Sequence, residues 1–400
     1  MTIWSIEPRA PIILRDGRPF GLNPGARAES LDFPFPSTIA GAARTRYWRQ
    51  QGKSFDLNLF GEAEAKTLNQ LALRGPLLME LGTQERLPWL VPAPNDALLF
   101  PMEDQQDHKH ARLRKLNPVP NADQALLDWQ YLEQGWQTVT MLNPLKIKPL
   151  SRPPRYWHWA SFEQWLVAPA DNDQIDLPAL GHAGPEKESR VHVGIRPDTQ
   201  TSEEGRLFQT TGLEFQRRQE DELFSLALAV DITGEMNEGL STLGGEQRLV
   251  RWRKQNEQLP QCPKAVRAAI HQQNCCRLIL LTPAFFRQGA MPQDLLTEVE
   301  GLEITVEGAV IQRPQTVSGW DYRRTNQNPS GRAKPTRRLV PPGAVYFLHF
   351  VGSADLIDTW IDKVWMQNIS DRVERQEDPT RHLHQDRLDG FGLAVVGTWL

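Results

Sequence analysis

The residues best suited to chemistry lie near the start of the chain, where small, hydroxyl and basic side chains follow two prolines. The prolines within residues 33–36 favour extended backbone, and Ser37 stands where the N-cap of the following helix is predicted. The helix continues with Thr38, Gly41 and Arg44. A helix start with so little bulk attracts anions, above all phosphate. The prediction is therefore a phosphate site, and the alternative is a short helix whose small face packs on a sheet.

Two further glycine-containing segments are candidates for anion contact. Gly244 and Gly245 form a predicted turn that leads to Arg248, and consecutive N–H groups in such a turn can bind an anion. Residues 190–208 read as a strand, a polar turn and a second strand, and this predicted hairpin carries His192. Each signal is unspecific when taken alone.

Basic residues are concentrated in two stretches, although the chain has a formal net charge of −4. Residues 134–162 contain no acid, and they carry Lys146 among several aromatic side chains. Residues 313–338 contain Asp321 as their one acid, beside a set of cations that includes Arg323, Arg324, Arg337 and Arg338. A mildly acidic chain with local basic stretches indicates grooves for a polyanion, with solvated loops as the alternative.

Several catalytic and cofactor motifs are excluded. Residues 61–67 contain the Lys-Thr of a phosphate loop but lack the glycine before it. Gly390 and Gly392 are typical of a dinucleotide fingerprint, yet too few residues follow for the required helix. The His pairs at 108–110 and 382–384 lie in polar segments without further ligands nearby. We expect no cofactor and no metal site.

Length and composition indicate a globular protein of two domains. The chain has 400 residues, of which 40% are hydrophobic and 24% charged. It contains three cysteines without a Cys-x-x-Cys pair, and no apolar run of bilayer-spanning length. The first residues lack the pattern of a secretion signal and read as a strand. These features predict a cytoplasmic location and no membrane partner.

The second half has the clearer pattern of secondary structure. Strands are predicted at 223–233, 275–282, 302–312, 345–351 and 393–399, with helices at 264–272 and 354–365. This order matches a split βαβ, or ferredoxin-like, unit with an insertion at about 284–343 that we expect to project as a hairpin or loop. The first half fits the same unit less closely.

The predicted fold class is α+β, with two ferredoxin-like (RRM-like, βαββαβ) domains that carry long insertions. We expect the first domain at residues 1–217 and the second at 218–400, with a polar linker near 214–222. The second domain includes the basic insertion and ends with the glycine loop, residues 389–392.

These motifs, taken in order, resemble the RAMP superfamily of CRISPR proteins. The resemblance rests on the segment 36–44, the hairpin at 192–208, the Leu-Gly-Gly-Glu-x-Arg turn at 243–248 and the glycine loop. The segments at 4–8 and 15–20 narrow it to the family that supplies the third subunit of the Cmr (type III-B) effector complex.

The resemblance implies a non-catalytic subunit of a hetero-oligomeric complex in antiviral defence. Such a subunit binds the 5′ handle of the guide RNA and docks to the large polymerase-like subunit and to a backbone RAMP subunit. The implied RNA contacts are phosphate contacts and stacking sites for unpaired bases. The residues we assign to them are Ser37, Thr38, Gly41, Arg44, Lys146, His192, Gly244, Gly245, Arg248, Arg323, Arg324, Arg337, Arg338, Gly390 and Gly392.

Two alternatives remain open from the sequence. One is a metal-independent endoribonuclease that processes precursor guide RNA, with His192 as general acid–base and Tyr47 or Lys146 as weaker partners. The other is a structural adaptor that contacts only proteins, which the 13 tryptophans and the acidic stretch 371–378 favour.

Overall fold

The structure is a computed structural model of the 400-residue chain. It describes residues 1–15, 27–28, 30–53, 62–82, 87–104, 107–120, 131, 133–219, 222–321, 332–373 and 383–399.

Helices and strands follow in chain order within these ranges. The helices are α1 (Pro36–Gln50), α2 (Glu62–Asn69), α3 (Trp159–Val167), α4 (Leu177–Leu180), α5 (Lys264–Gln273), α6 (Gln293–Leu296), α7 (Ala354–Val364) and α8 (Gln385–Asp389). The strands are β1 (Thr2–Pro8), β2 (Arg27–Ala28), β3 (Leu73–Leu81), β4 (Trp89–Pro92), β5 (Ala97–Pro101), β6 (His110–Val119), β7 (Thr138–Met141), β8 (Tyr156–His158), β9 (Asn172–Asp176), β10 (Gly181–His182), β11 (Glu186–Ile195), β12 (Ser202–Glu214), β13 (Gln216–Gln219), β14 (Glu222–Ile232), β15 (Gly239–Leu243), β16 (Arg248–Lys254), β17 (Cys275–Leu280), β18 (Glu303–Val310), β19 (Gln315–Val317), β20 (Trp320–Asp321), β21 (Arg332–Ala333), β22 (Arg337–Leu339), β23 (Val345–Val351), β24 (Gln367–Asn368) and β25 (Leu393–Gly397). Mixed helices and antiparallel sheets confirm the α+β class.

The first sheet has the strand order β10-β8-β4-β3-β14-β1-β16-β15, with β13 paired to β14. Its centre is formed by β1, which pairs antiparallel with β14 on one side and with β16 on the other. Consecutive buried residues supply both faces of the sheet, since Ile3 of β1 lies in one core cluster and Trp4 and Ile6 lie in the other.

The expected domain boundary at 217/218 falls within β13, a strand of the first sheet. Strand β14, which we expected to begin the second domain, lies in the middle of the first sheet between β3 and β1. The polar stretch that we expected to be a linker includes β13, which pairs with the start of β14. The chain passes from the first sheet to the second through residues 255–263, which lie between β16 and α5.

The second sheet has the order β18-β23-β17-β25-β24, with antiparallel pairing throughout. Helix α7 packs on it through Ile357, Trp360, Ile361 and Val364, all fully buried. Their i, i+3, i+4, i+7 spacing is that of an apolar helix face, as the sequence predicts.

Two hairpins extend from the sheets. The predicted insertion between β18 and β23 is a hairpin in its described parts, where β19 pairs with β22 and β20 with β21; we call residues 315–339 the basic hairpin. The predicted hairpin at 190–208 is also present, as β11 paired with β12.

The two sheets share one hydrophobic core. One face of the first sheet, including Ile3 and Met79, packs in the same cluster as Leu278, Val345 and Val395 of the second sheet. The opposite face of the first sheet packs against α1. Most tryptophans serve these cores: the side chains of Trp4, Trp89, Trp157, Trp159, Trp252 and Trp360 are almost fully buried. None of the helices in the ranges given above is long and apolar enough to span a bilayer.

A fully buried ion pair joins the two sheets. The Arg277 guanidinium of β17 donates to the Asp96 carboxylate and to the carbonyl oxygens of Trp165 and Thr398, and both charged side chains have no solvent exposure. The indole N–H of Trp165 donates to the other oxygen of Asp96 at 3.1 Å. Burial, with the nearby Arg277 charge, lowers the pKa of Lys115 to about 8. The pair fixes the loop between β4 and β5 against the second sheet.

Substitution Arg277→Met is expected to lower the free energy of unfolding by about 3–5 kcal/mol, because the buried Asp96 carboxylate then loses its guanidinium partner and keeps only the Trp165 hydrogen bond. Denaturant titration measures the loss. The control is Arg253→Met, which removes a half-exposed pair with Glu7 and is expected to change stability far less. Equal losses in the two variants would contradict a special role for the buried pair.

Candidate nucleic-acid interface

A cleft of about 1060 Å³ lies where the first sheet, the second sheet and the basic hairpin meet. One wall is the proline-containing segment 30–36 that leads into α1. The other walls come from residues 92–99, from residues 149–157 and from positions 312–318 and 336, which lie between β18 and β23. The two basic stretches picked out in the sequence therefore border the same cleft.

The cleft wall is made largely of prolines, other apolar side chains and neutral polar side chains. Eleven of its 34 lining residues are prolines, which have no backbone N–H, so the wall offers ring faces and carbonyl oxygens. Leucine, alanine and aromatic side chains form another large part, and hydroxyl and amide groups come from Ser30, Asn95, Thr282, Gln312, Gln315, Thr316, Ser318 and Thr336. Burial raises the pKa of Tyr156, which stays neutral. Such a surface suits bases and ribose rather than phosphate.

Exposed cations lie on the segments that border the cleft. Lys146 and Lys148 precede the lining residue Pro149, and Arg152 lies between the lining residues Leu150 and Pro153. Arg313 and Arg338 are exposed on the opposite side, next to lining residues of the second unit. The cleft thus combines a neutral interior with a basic rim.

The start of α1 differs from the prediction in its cap. The N-cap is Phe35, Pro36 is the first helical residue, and no side chain caps the helix, so Ser37 is not the cap. The Thr38 N–H donates to the Phe35 carbonyl at 2.9 Å. Gly41 is exposed, with open space where a Cβ would lie. Pro36 lines the cleft, which places Ser37 and Thr38 one step from its wall.

Arg44 is engaged by groups within the protein. Its guanidinium donates to the Asp389 carboxylate at 2.5 Å and to the carbonyl oxygens of Leu68 and Leu71 at 3.0 and 3.1 Å. About 11% of its side chain is exposed, which leaves little surface for a phosphate. Arg44 links α1 to α2 through Leu68 and to α8 through Asp389.

The glycine loop at the chain end is buried in the protein. Gly390 and Gly392 have φ values of +102° and +83°, and a Cβ would lie 2.3 Å from the Gly75 carbonyl oxygen and 2.7 Å from the Ser370 nitrogen. Only glycine can adopt this backbone so close to a neighbouring chain segment. The close approach that we predicted exists, but its partner is protein backbone rather than RNA.

The Gly244–Gly245 turn is also occupied by the protein. A Cβ on Gly244 would lie 2.5 Å from the Ile13 carbonyl oxygen, to which the Gly245 N–H donates at 2.7 Å. Arg248 pairs with Glu246 at 2.6 Å. The predicted anion-binding turn is therefore a packing turn that holds residues 12–15.

The arginines of the basic hairpin have different roles. Arg337 pairs with Asp386 at 2.7 Å and lies over the rings of Phe285 and Phe391, with 13% of its side chain exposed. Arg338 points to solvent from the next position. Arg323 and Arg324 lie outside the described residues.

His192 has a packing role in its hairpin. Its Nε2 lies 2.9 Å from the Thr210 hydroxyl, and its ring stacks on Phe208 with centroids 5.2 Å apart. Across the ranges that the structure describes, no group of three or more His, Cys, Asp or Glu side chains is arranged to hold a metal ion.

Three of the sequence motifs meet at α8. Asp389 binds Arg44 of α1, Asp386 binds Arg337 of the basic hairpin, and Gly390 lies against Pro36. Most residues of these motifs contact other protein segments and support the cleft from behind its lining residues. Sequence reasoning missed the cleft itself, although the proline clusters at 92–94, 149–154 and 341–342 were a visible signal.

The match to a known family decides the identity. The sequence model of the family described as CRISPR-associated protein (Cas_Cmr3) matches residues 4–399. The chain belongs to this Cmr3 family.

Comparisons with individual proteins give more distant similarities. A chain in the cryo-EM structure of the Type III-B Cmr-beta bound to cognate target RNA and AMPPnP, state 1, is 13% identical, with a TM-score of 0.47 and 98% of both chains covered. A chain in the structure of the Type III-B Cmr-beta bound to cognate target RNA is 14% identical, with a TM-score of 0.42 and 86% of both chains covered. A comparison with curated proteins finds no match.

In this Cmr3-family chain, Arg44→Met is expected to lower the free energy of unfolding by about 2–4 kcal/mol, because the nearly buried Asp389 carboxylate loses its cation and keeps only the Gln385 hydrogen bond. The salt dependence of RNA binding by the folded fraction should not change. Arg338→Met is the matched control: we expect it to keep the stability of the wild type and to show a weaker salt dependence of RNA binding. Thermal unfolding and binding across a salt series measure both. A reduced salt dependence in Arg44→Met would restore Arg44 as a phosphate contact.

Proposed function

We propose that this Cmr3-family chain is a non-catalytic subunit of a type III-B CRISPR effector complex and holds the 5′ handle of the guide RNA. The single-stranded handle runs through the cleft, with bases against its neutral wall and phosphates along the basic rim. The same subunit docks to the large polymerase-like subunit and to a backbone RAMP subunit. The complex is hetero-oligomeric and acts in antiviral defence in the cytoplasm.

The observation that carries this proposal is the convergence of both basic stretches on one cleft. Residues 149–157 and 312–318 are far apart in sequence, and both line it. Recognition of single-stranded RNA requires cations for the backbone and flat or polar surfaces for unpaired bases. The rim supplies the cations, and the prolines, hydroxyls and amides supply the base surfaces.

We infer that both sheets are built on ferredoxin-like units. In the first, the order β3-β14-β1-β16 corresponds to the second, third, first and fourth strands along the chain. In the second, β18-β23-β17-β25 repeats this order. This antiparallel order is expected for a split βαβ unit. In the first unit, β15 stands between β14 and β16 in place of the second helix. In the second unit, the first crossover, between β17 and β18, contains only the short helix α6.

An apolar surface on the β11–β12 hairpin supports docking to a protein subunit. Val191, Val193 and Ile195 alternate along β11, and Leu207 lies opposite Val193 on β12. Between 47% and 67% of each of these side chains is exposed. Alternation puts them on one face, and an exposed apolar face of this kind marks an interaction surface.

The adaptor alternative loses the support of most tryptophans, whereas residues 374–378 of the acidic stretch lie outside the described ranges. Most tryptophans belong to the core, and Trp320 is the one with large exposure in the part of the chain that the structure describes. Asp371 is buried and accepts the backbone N–H groups of Arg287 and Asp294. A role in protein contacts alone also does not explain why exposed cations border the cleft.

Charge reversal on both sides of the rim is expected to weaken RNA binding. We expect Arg152→Glu/Arg338→Glu to bind a handle RNA at least tenfold more weakly in about 100 mM salt, with a slope of log K against log salt smaller by about 1–2. Arg49→Glu is the control, since Arg49 is exposed near the far end of α1, roughly 20 Å from the cleft. An unchanged slope in the double variant would contradict the proposal.

Incubation with labelled repeat RNA in EDTA separates this function from the nuclease alternative. We expect the RNA to stay intact, because His192 is engaged with Thr210 and Phe208. Discrete cleavage that His192→Ala abolishes, on a denaturing gel, would establish the nuclease instead.

A further inference from the structure

A carboxylate flanked by two cations lies at the mouth of the cleft. Asp32 Oδ2 is 3.3 Å from an Arg155 guanidinium nitrogen, and Asp32 Oδ1 is 2.5 Å from the Lys187 ammonium. The three side chains come from the segment before α1, from the end of the acid-free stretch and from the start of the β11–β12 hairpin. All three are between 42% and 59% exposed.

Arg155 is fixed in place by groups other than Asp32. Its Nε donates to the Ala183 carbonyl at 2.9 Å, and its guanidinium lies over the ring of buried Tyr156 at 5.9 Å. Its backbone carbonyl accepts the Ala93 N–H at 2.9 Å. Removal of Asp32 therefore leaves the guanidinium at the cleft mouth.

Asp32 and Arg155 differ from the other residues that line the cleft because they are charged. Among the lining residues that the structure describes, Asp32 is the one carboxylate and Arg155 the one cation. A carboxylate shared by a guanidinium and an ammonium presents two oxygens to them, much as a phosphate does. With two cations and one anion, the cluster keeps a net positive charge that attracts an incoming polyanion.

We propose that Arg155 and Lys187 form a phosphate-binding subsite for the RNA backbone, and that Asp32 occupies it until RNA arrives. This subsite rests on the function proposed above. The RNA phosphate takes the position of the Asp32 carboxylate, which turns outward into water.

The exchange has a physical consequence for selectivity. Each pair with Asp32 is solvent-exposed and weak, so a strand that engages the cleft at several points displaces the carboxylate easily. A lone anion that makes a single contact gains little from the same exchange. Asp32 thereby lowers the affinity of the subsite for every anion. The loss is smaller, in proportion, for an RNA strand with several contacts than for a lone anion.

The test is the affinity of the full chain for a handle RNA after removal of the Asp32 charge. Asp32→Asn is expected to bind about three- to tenfold more tightly at low salt, because two exposed pairs no longer compete. The slope of log K against log salt should become steeper. In an Arg155→Gln/Lys187→Gln background, which binds more weakly than wild type, Asp32→Asn should have no effect.

The control is Glu188→Gln, which makes the same change in net charge on the hairpin that carries Lys187 but removes a pair with Arg190. Equal gains in Glu188→Gln and Asp32→Asn, or no gain or a loss in Asp32→Asn, would overturn the subsite. Thermal unfolding checks that the variants are folded. If Arg152→Glu/Arg338→Glu still reduces binding, only the subsite fails; if that variant also binds like wild type, the proposed function fails.

Discussion

The buried pair of Arg277 and Asp96 is the constraint on which the cleft depends. A guanidinium and a carboxylate without solvent exposure are tolerated because Trp165 and Thr398 satisfy their remaining hydrogen bonds. Asp96 lies in the loop whose neighbours line the cleft, and the Asn95 N–H donates to a carbonyl of the second unit, at position 343. The pair thus fixes one wall of the cleft to the second sheet, while the shared apolar core holds the sheets together.

A second set of contacts fixes the opposite wall. Helix α8 binds Arg44 through Asp389 and Arg337 through Asp386, so α1 and the basic hairpin are both tied to it. Gly390 allows α8 to end directly against the backbone of Gly75, beside Pro36. The motifs most visible in the sequence therefore build the frame, and the surface that we assign to RNA consists of less conspicuous prolines, hydroxyls and exposed cations.

Local structure was predictable from the sequence, and long-range pairing was not. The periodicity of α1 and α7 and the apolar run of β14 identified these elements correctly. The sheet that β14 joins depends on partners more than 140 residues away in β3, which no local pattern reveals. Positive φ values explain why glycines stand at 390 and 392, but sequence cannot tell whether protein or RNA approaches them.

The central claim is that the guide RNA occupies the cleft between the two sheets. Photo-cross-linking of guide RNA in the assembled complex, followed by mapping of the linked peptides, tests it most directly. We predict cross-links from the 5′ handle to residues 30–36, 149–157 and 312–318, which line the cleft. Cross-links confined to the outer helices α5 and α7, with none in these three segments, would contradict the account.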